Sequence, residues 1–154
     1  MIVEGGDWEI SGNCIHYIDL FNFLTGKNIS SFNIDGLEKK YYPSKRKGFV
    51  DFNGEIIINS EDGSKLTLIN DKFSKRSVML NIFSNDCRYI IFEHESKGVI
   101  QSKSNDWMST EISFPIIAFK AVFAINIPIV PATVDSTPAP SQSSRLSSIK
   151  LLPI

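Results

Sequence analysis

Only two cysteines, Cys14 and Cys87, and two histidines, His16 and His94, occur among the 154 residues. Two separated thiols do not make a disulfide framework, and the usage fits a reducing compartment. Each cysteine sits in an apolar run and reads as a small buried hydrophobe. No Cys/His cluster has zinc-like spacing, so no metal site is expected. Basic excess is also lacking. Sixteen Lys and Arg stand against 17 Asp and Glu, a formal net charge of -1, which gives no nucleic-acid footprint. There is no Gly-x-Gly-x-x-Gly loop, no Gly-Lys-Ser phosphate loop and no serine elbow. The acidic, glycine-rich start has no apolar stretch of the kind a signal peptide needs, which predicts a cytoplasmic protein. The most apolar run, Phe114 to Val130, is broken by Pro115, Lys120, Asn126 and Pro128. It reads as a buried segment and not a membrane span. No internal repeat is visible.

What is present fits one globular domain over residues 1–154, with 42% hydrophobic and 21% charged residues. Gly5-Gly6-Asp7-Trp8 reads as a glycine turn feeding one helix, capped by Ser11 and closed by Gly26. Cys14, Ile15, Ile18, Phe21 and Leu24 repeat at helical spacing and are expected to form its buried stripe. Asn13, His16 and Asp19 lie beside that stripe at three-residue steps, as neighbours on one face. An imidazole beside a carboxylate can begin acid–base chemistry, or it can be a hydrogen-bonded core pair.

From Lys27 to about Ser104 the pattern is one of short strands. Asn53-Gly54, Asp62-Gly63, Ser84-Asn85-Asp86 and Ser96-Lys97-Gly98 punctuate it, the first as a tight hairpin or a bulge. Helix plus meander gives an α+β domain with one sheet face open to water or a partner. Phe114 to Ile127 is expected to be a helix, and Pro140-Ser141 to begin another with Leu146, Ile149 and Leu152 along one side. Tyr41-Tyr42-Pro43-Ser44-Lys45-Arg46-Lys47-Gly48 is a second candidate site. Two aromatics followed by three cations can hold a phosphate or pyrophosphate, and can equally be a solvated basic turn. Trp8 and Trp107 read as packing residues, Trp8 bordering a cleft, and His94 as a surface residue.

The order Gly-Gly, a helix carrying His-x-x-Asp-Leu (His16 to Leu20), Leu24-Thr25-Gly26, then strands, resembles the C-terminal domain of the glucose–fructose oxidoreductase/inositol dehydrogenase family (Gfo/Idh/MocA). The resemblance covers Gly5 to about Phe114 and, more weakly, the tail. It implies an α+β domain with a leading helix, an open-faced, mostly antiparallel sheet and closing C-terminal helices. It implies sugar or nucleotide-sugar oxidation or reduction with NAD or NADP, the dinucleotide being carried by an N-terminal Rossmann domain that these residues do not include. An excised or truncated domain, inactive by itself, is the corresponding expectation. His16 matches the family's proton-exchanging histidine, and Asp19 the aspartate three residues later. Where the family usually has an aspartate four residues before the histidine, this chain has Gly12, with Asn13 next to it. On this reading Asn13, Asp19, Tyr42, Lys45 and Arg46 bind substrate, and the open sheet face pairs subunits into a homo-oligomer. The alternative is a non-catalytic binding or assembly module that keeps the fold without the chemistry.

Overall fold

The computed structural model describes residues 1–114. Strand β1 (Ile2–Gly6) leads into α1 (Ile10–Thr25). Eight strands follow: β2 (Ile29–Asn33), β3 (Leu37–Pro43), β4 (Val50–Ser60), β5 (Lys65–Asp71), β6 (Met79–Phe83), β7 (Cys87–Phe92), β8 (Lys97–Ser102) and β9 (Ser109–Ser113). All nine join one open sheet in the order β2-β4-β5-β1-β6-β7-β8-β9, with β3 also paired to β4. Every pairing is antiparallel except that of β1 with β5. The expected α+β class and open sheet are therefore present. The two expected C-terminal helices lie almost wholly outside the described residues.

One row across the sheet runs Ile56–Leu68–Val3–Leu80–Ile91–Gly98. Val3, Leu68 and Leu80 in that row are buried with Ile10, Tyr17, Leu20 and Phe21 of α1. These helix positions recur at i, i+7, i+10 and i+11, one face of a 3.6-residue repeat. The expected stripe is thus rotated: Phe21 is buried, but Ile15 is 51% and Leu24 38% exposed. The physical reason is Tyr17. Its ring stacks edge-on against Trp8 at 5.3 Å, and its hydroxyl donates to Glu93 Oε2 at 2.9 Å. That large side chain takes the core position and turns Ile15 outward. Cys14 and Cys87 are half-buried free thiols. Trp8 is buried and Trp107 is 45% exposed.

Because strand side chains alternate, the next rows face away from α1. They are Ile57–Thr67–Ile2–Asn81–Ile90–Val99 and Glu55–Ile69–Glu4–Met79–Phe92–Lys97. No helix covers this mixed apolar and polar face among the described residues.

The turn chemistry is local. Asn53-Gly54 lies inside the single strand β4 and is not a hairpin; the irregularity opposite it is on β3, whose register against β4 shifts between Leu37 and Tyr41. Gly54 has φ 115, and a Cβ there would lie 2.2 Å from the Gly36 carbonyl oxygen. Asp62-Gly63 turns β4 into β5, and Ser84-Asn85-Asp86 turns β6 into β7. The next reversal comes earlier than expected, in a 3-10 turn at Glu93–Glu95 closed by Ser96 at φ 52. Gly26 caps α1 in the left-handed conformation, its N–H reaching the Asn22 carbonyl.

Candidate functional site

Ser11 does not cap α1. The N-cap is Glu9, left-handed at φ 59 and making no side-chain cap bond. The capping carboxylate comes from β4: Asp51, fully buried, accepts the Ser11 N–H at 3.1 Å. The Ser11 hydroxyl donates instead to the Val50 carbonyl at 2.7 Å. A carboxylate at the amino end of a helix is favoured by the orphan amides and the dipole.

Asp51 belongs to a chain of charges. Lys72 Nζ reaches Asp51 Oδ2 at 3.2 Å and also bonds Asp7. Asp7 continues to Lys45 Nζ at 3.3 Å. The hydrogen bond from Lys72 holds the Asp7 carboxyl below its usual range, more than burial raises it, with Lys45 adding to the effect. Burial pushes the Lys72 ammonium down, but its bonds to Asp7 and Asp51 outweigh this and raise it. Asn70, also buried, donates to the Phe52 carbonyl at 2.6 Å and accepts the Trp8 N–H at 3.2 Å.

The expected site residues fall into two groups. Asn13, His16 and Asp19 share α1. His16 and Asp19 are exposed, and half-buried Asn13 donates its amide to the Trp8 carbonyl at 2.6 Å. Tyr42 and Lys45 bracket the start of the β3–β4 turn, and Arg46 follows. Tyr42 donates to Glu38 at 2.5 Å, and its ring stacks edge-on against Phe73 at 5.5 Å. Lys45 Nζ also donates to the Asp7 carbonyl at 2.6 Å, and the Lys45 N–H bonds the Glu9 carboxylate, which accepts from Ser44 Oγ at 2.8 Å.

Glu9 therefore ties the basic turn to the head of α1. Between them lies an open groove of about 360 Å³, lined by Ser11 and Gly12 on one side and by Ser44, Arg46 and Phe49 on the other. A small polar ligand in this groove would meet the Arg46 guanidinium, the Glu9 carboxylate, two hydroxyls that already donate to Val50 and Glu9, and an apolar wall.

The glycine pair does not fit a dinucleotide pyrophosphate. A Cβ on Gly6 would lie 2.4 Å from the Ser74 carbonyl oxygen, and the Gly6 N–H bonds the Arg76 carbonyl at 2.8 Å. The helix amides are also engaged, Ser11 by Asp51 and both Gly12 and Asn13 by the Glu9 carbonyl. The glycines allow the 71–76 loop to pack on β1. Among the described residues no cluster of His, Cys, Asp and Glu is placed to hold a metal. None of their helices is long and apolar enough to cross a membrane.

Sequence reasoning missed Asp51, Lys72 and Phe73. Phe49-Val50-Asp51-Phe52 reads as an apolar strand with a polar interruption. In the fold Phe49 is 67% and Val50 43% exposed, while Asp51 is fully buried. The odd residue in the run was the one facing inward. No family model and no curated protein matches the chain.

Proposed function

We propose that this chain is the substrate-binding and subunit-pairing domain of an NAD(P)-dependent oxidoreductase acting on a sugar or nucleotide-sugar. The reading rests on the sequence resemblance. The observation that carries it further is the placement of His16: an exposed imidazole on the one α-helix among the described residues, whose amino end opens onto a polar groove, above a sheet whose opposite face no described helix covers. His16 takes or returns the proton of a sugar hydroxyl while hydride passes to a dinucleotide bound by another domain. Asp19 lies one turn further along the helix from His16. Arg46 and Tyr42 position polar groups of the substrate, and Lys45 fixes the turn through Asp7. Asn13, bonded to Trp8, holds the head of the helix and offers its remaining oxygen as an acceptor. The free face pairs with a second copy.

A binding or assembly role without chemistry is the second reading, and one observation favours it: Asn13 and Lys45 are already engaged inside the fold. The two separate by kinetics. In the protein that joins this domain to a dinucleotide-binding domain, His16→Ala should lower kcat ~100-fold or more, with His16→Asn no better. Unchanged turnover would leave the assembly role as the function.

A further inference from the structure

Eight of the sixteen Lys and Arg residues fall in two short segments, 36–49 and 71–77, which together contain only two acids. The Tyr42–Phe73 ring contact joins these segments into one corner of the fold. Lys45, Lys72 and Arg76 are held by Asp7, Asp51 and Asp71. Lys40, Arg46, Lys47 and Lys75 form no ion pair among the described residues. Phe73 is 75% exposed, yet its backbone is fixed: its N–H bonds Asp71 Oδ1 at 3.2 Å, and the loop is pinned to β1 by the Gly6–Arg76 bond. Lys40 Nζ stands 5.0 Å from the centre of the Tyr42 ring. An exposed aromatic ring on a pinned loop, beside Arg46, Lys47 and Lys75, is suited to stacking a base and binding phosphates, while Lys40 faces the Glu38 carboxylate.

We infer that this corner binds the nucleoside diphosphate part of a nucleotide-sugar, with Phe73 stacking the base and Arg46 and Lys47 taking the diphosphate. The inference rests on the proposed function and narrows its substrate class from sugars in general to sugar nucleotides. A short ligand fits the placement better than a polymer, because the patch is confined to edge strand β3, the turn that follows it and the 71–77 loop. Tyr42 and Arg46 are separated by at most ~14 Å of chain, a span that base, ribose and diphosphate cover.

The test is calorimetric titration of the full chain with UDP, ADP, uridine, pyrophosphate and a single-stranded oligothymidylate, accompanied by NMR of the His16 ring protons. UDP or ADP should bind at least tenfold more tightly than uridine or pyrophosphate. Phe73→Ala should weaken that binding about tenfold, and Phe73→Tyr should restore it. Arg46→Ala should weaken it and flatten its salt dependence. Both positions are exposed, and unchanged melting temperatures would show that the fold is intact. Equal binding by wild type and Phe73→Ala, or no nucleotide binding, overturns the inference. So does oligothymidylate binding that far exceeds UDP, which would make the corner a nucleic-acid surface. If UDP is silent while a free sugar shifts the His16 ring protons, the narrower inference fails and the sugar-domain reading stands. If UDP binds at Phe73 while no sugar or sugar nucleotide shifts His16, the corner stands and the oxidoreductase reading fails.

Discussion

Removing the Asp51 carboxylate should destabilise this domain more than any exposed charge would. Asp51 is fully buried and serves three groups: the Ser11 N–H at 3.1 Å, Lys72 Nζ at 3.2 Å and Asn70 Nδ2 at 3.4 Å. Asp51→Ala strips the helix of its cap, which costs about 1 kcal/mol. It also leaves Lys72, whose side chain is only 12% exposed, with Asp7 as its remaining anion. Breaking a buried pair from one side costs about 3–5 kcal/mol. The surviving Asp7 contact places the total near the low end, about 3 kcal/mol. Domains of this class are stable by only about 5–15 kcal/mol, so the melting temperature should fall by roughly 10 °C or more. Urea unfolding followed by tryptophan fluorescence would read this as a lower midpoint with an unchanged slope. Combining Asp51→Asn with Lys72→Met should cost less than the sum of the single changes, because the stranded charge is gone. A loss below about 1 kcal/mol for Asp51→Ala would match an exposed ion pair and refute the assignment of Asp51 as the buried cap of α1.

The two glycine roles separate by substitution. Gly12→Ala, with nothing within 4 Å of its Cβ, should stabilise α1 by ~0.5–1 kcal/mol. Gly6→Ala, pressed against the Ser74 carbonyl, should destabilise by about 2 kcal/mol in the same urea assay. Tyr17 should make the protein sensitive to alkali. Burial, then Glu93, raises its hydroxyl well above the ordinary 10.0. The unfolded chain loses that proton near pH 10 while the folded chain keeps it, so stability is full below pH 10 and falls above it. Lys72, raised above 10.5, acts in the same direction at slightly higher pH. Midpoints measured from pH 8 to 11 should therefore decline, and Tyr17→Phe should flatten the part of the decline that begins near pH 10. On the free sheet face, Ile90→Arg should convert a sedimenting dimer to monomer without lowering the monomer's secondary structure. A wild-type chain that sediments as a monomer at high concentration would remove the pairing role.

The class of the fold was legible because its signals are local. A glycine-closed helix and turn residues at two of the reversals, Asp62-Gly63 and Ser84-Asn85-Asp86, state where the chain bends, and α1, β5, β6 and β7 flank them. β1 was hidden because its sequence, Ile2 to Gly6, is short and ends in glycines. Its strand character comes from pairing with β5 and β6, distant in sequence. β3 was hidden by its charge: Lys39, Lys40 and Tyr41 are exposed, and the strand is held by the edge of β4. The helix was found, but its buried face was misjudged, because Tyr17 carries a polar atom and enters the core only when Glu93 is there to accept from it. The same holds for the site. His16 and Arg46 could be singled out by residue type. Asp51 and Lys72 could not, because what makes them matter is burial beside a helix end brought in from elsewhere in the chain. Phe73 stands out only once its loop is seen to pack against β1.

The proposed substrate-binding role of α1 and the β3–β4 turn is best tested by NMR titration of the chain with a UDP-sugar, following the His16 imidazole protons together with the backbone amides of both elements. Saturable shifts are expected at His16, Asn13 and Arg46, absent from the sheet face opposite α1 and weakened at least tenfold by His16→Ala for the sugar nucleotide but not for UDP alone. Saturable binding that leaves His16 and α1 unmoved, or no binding at millimolar ligand, would contradict that role.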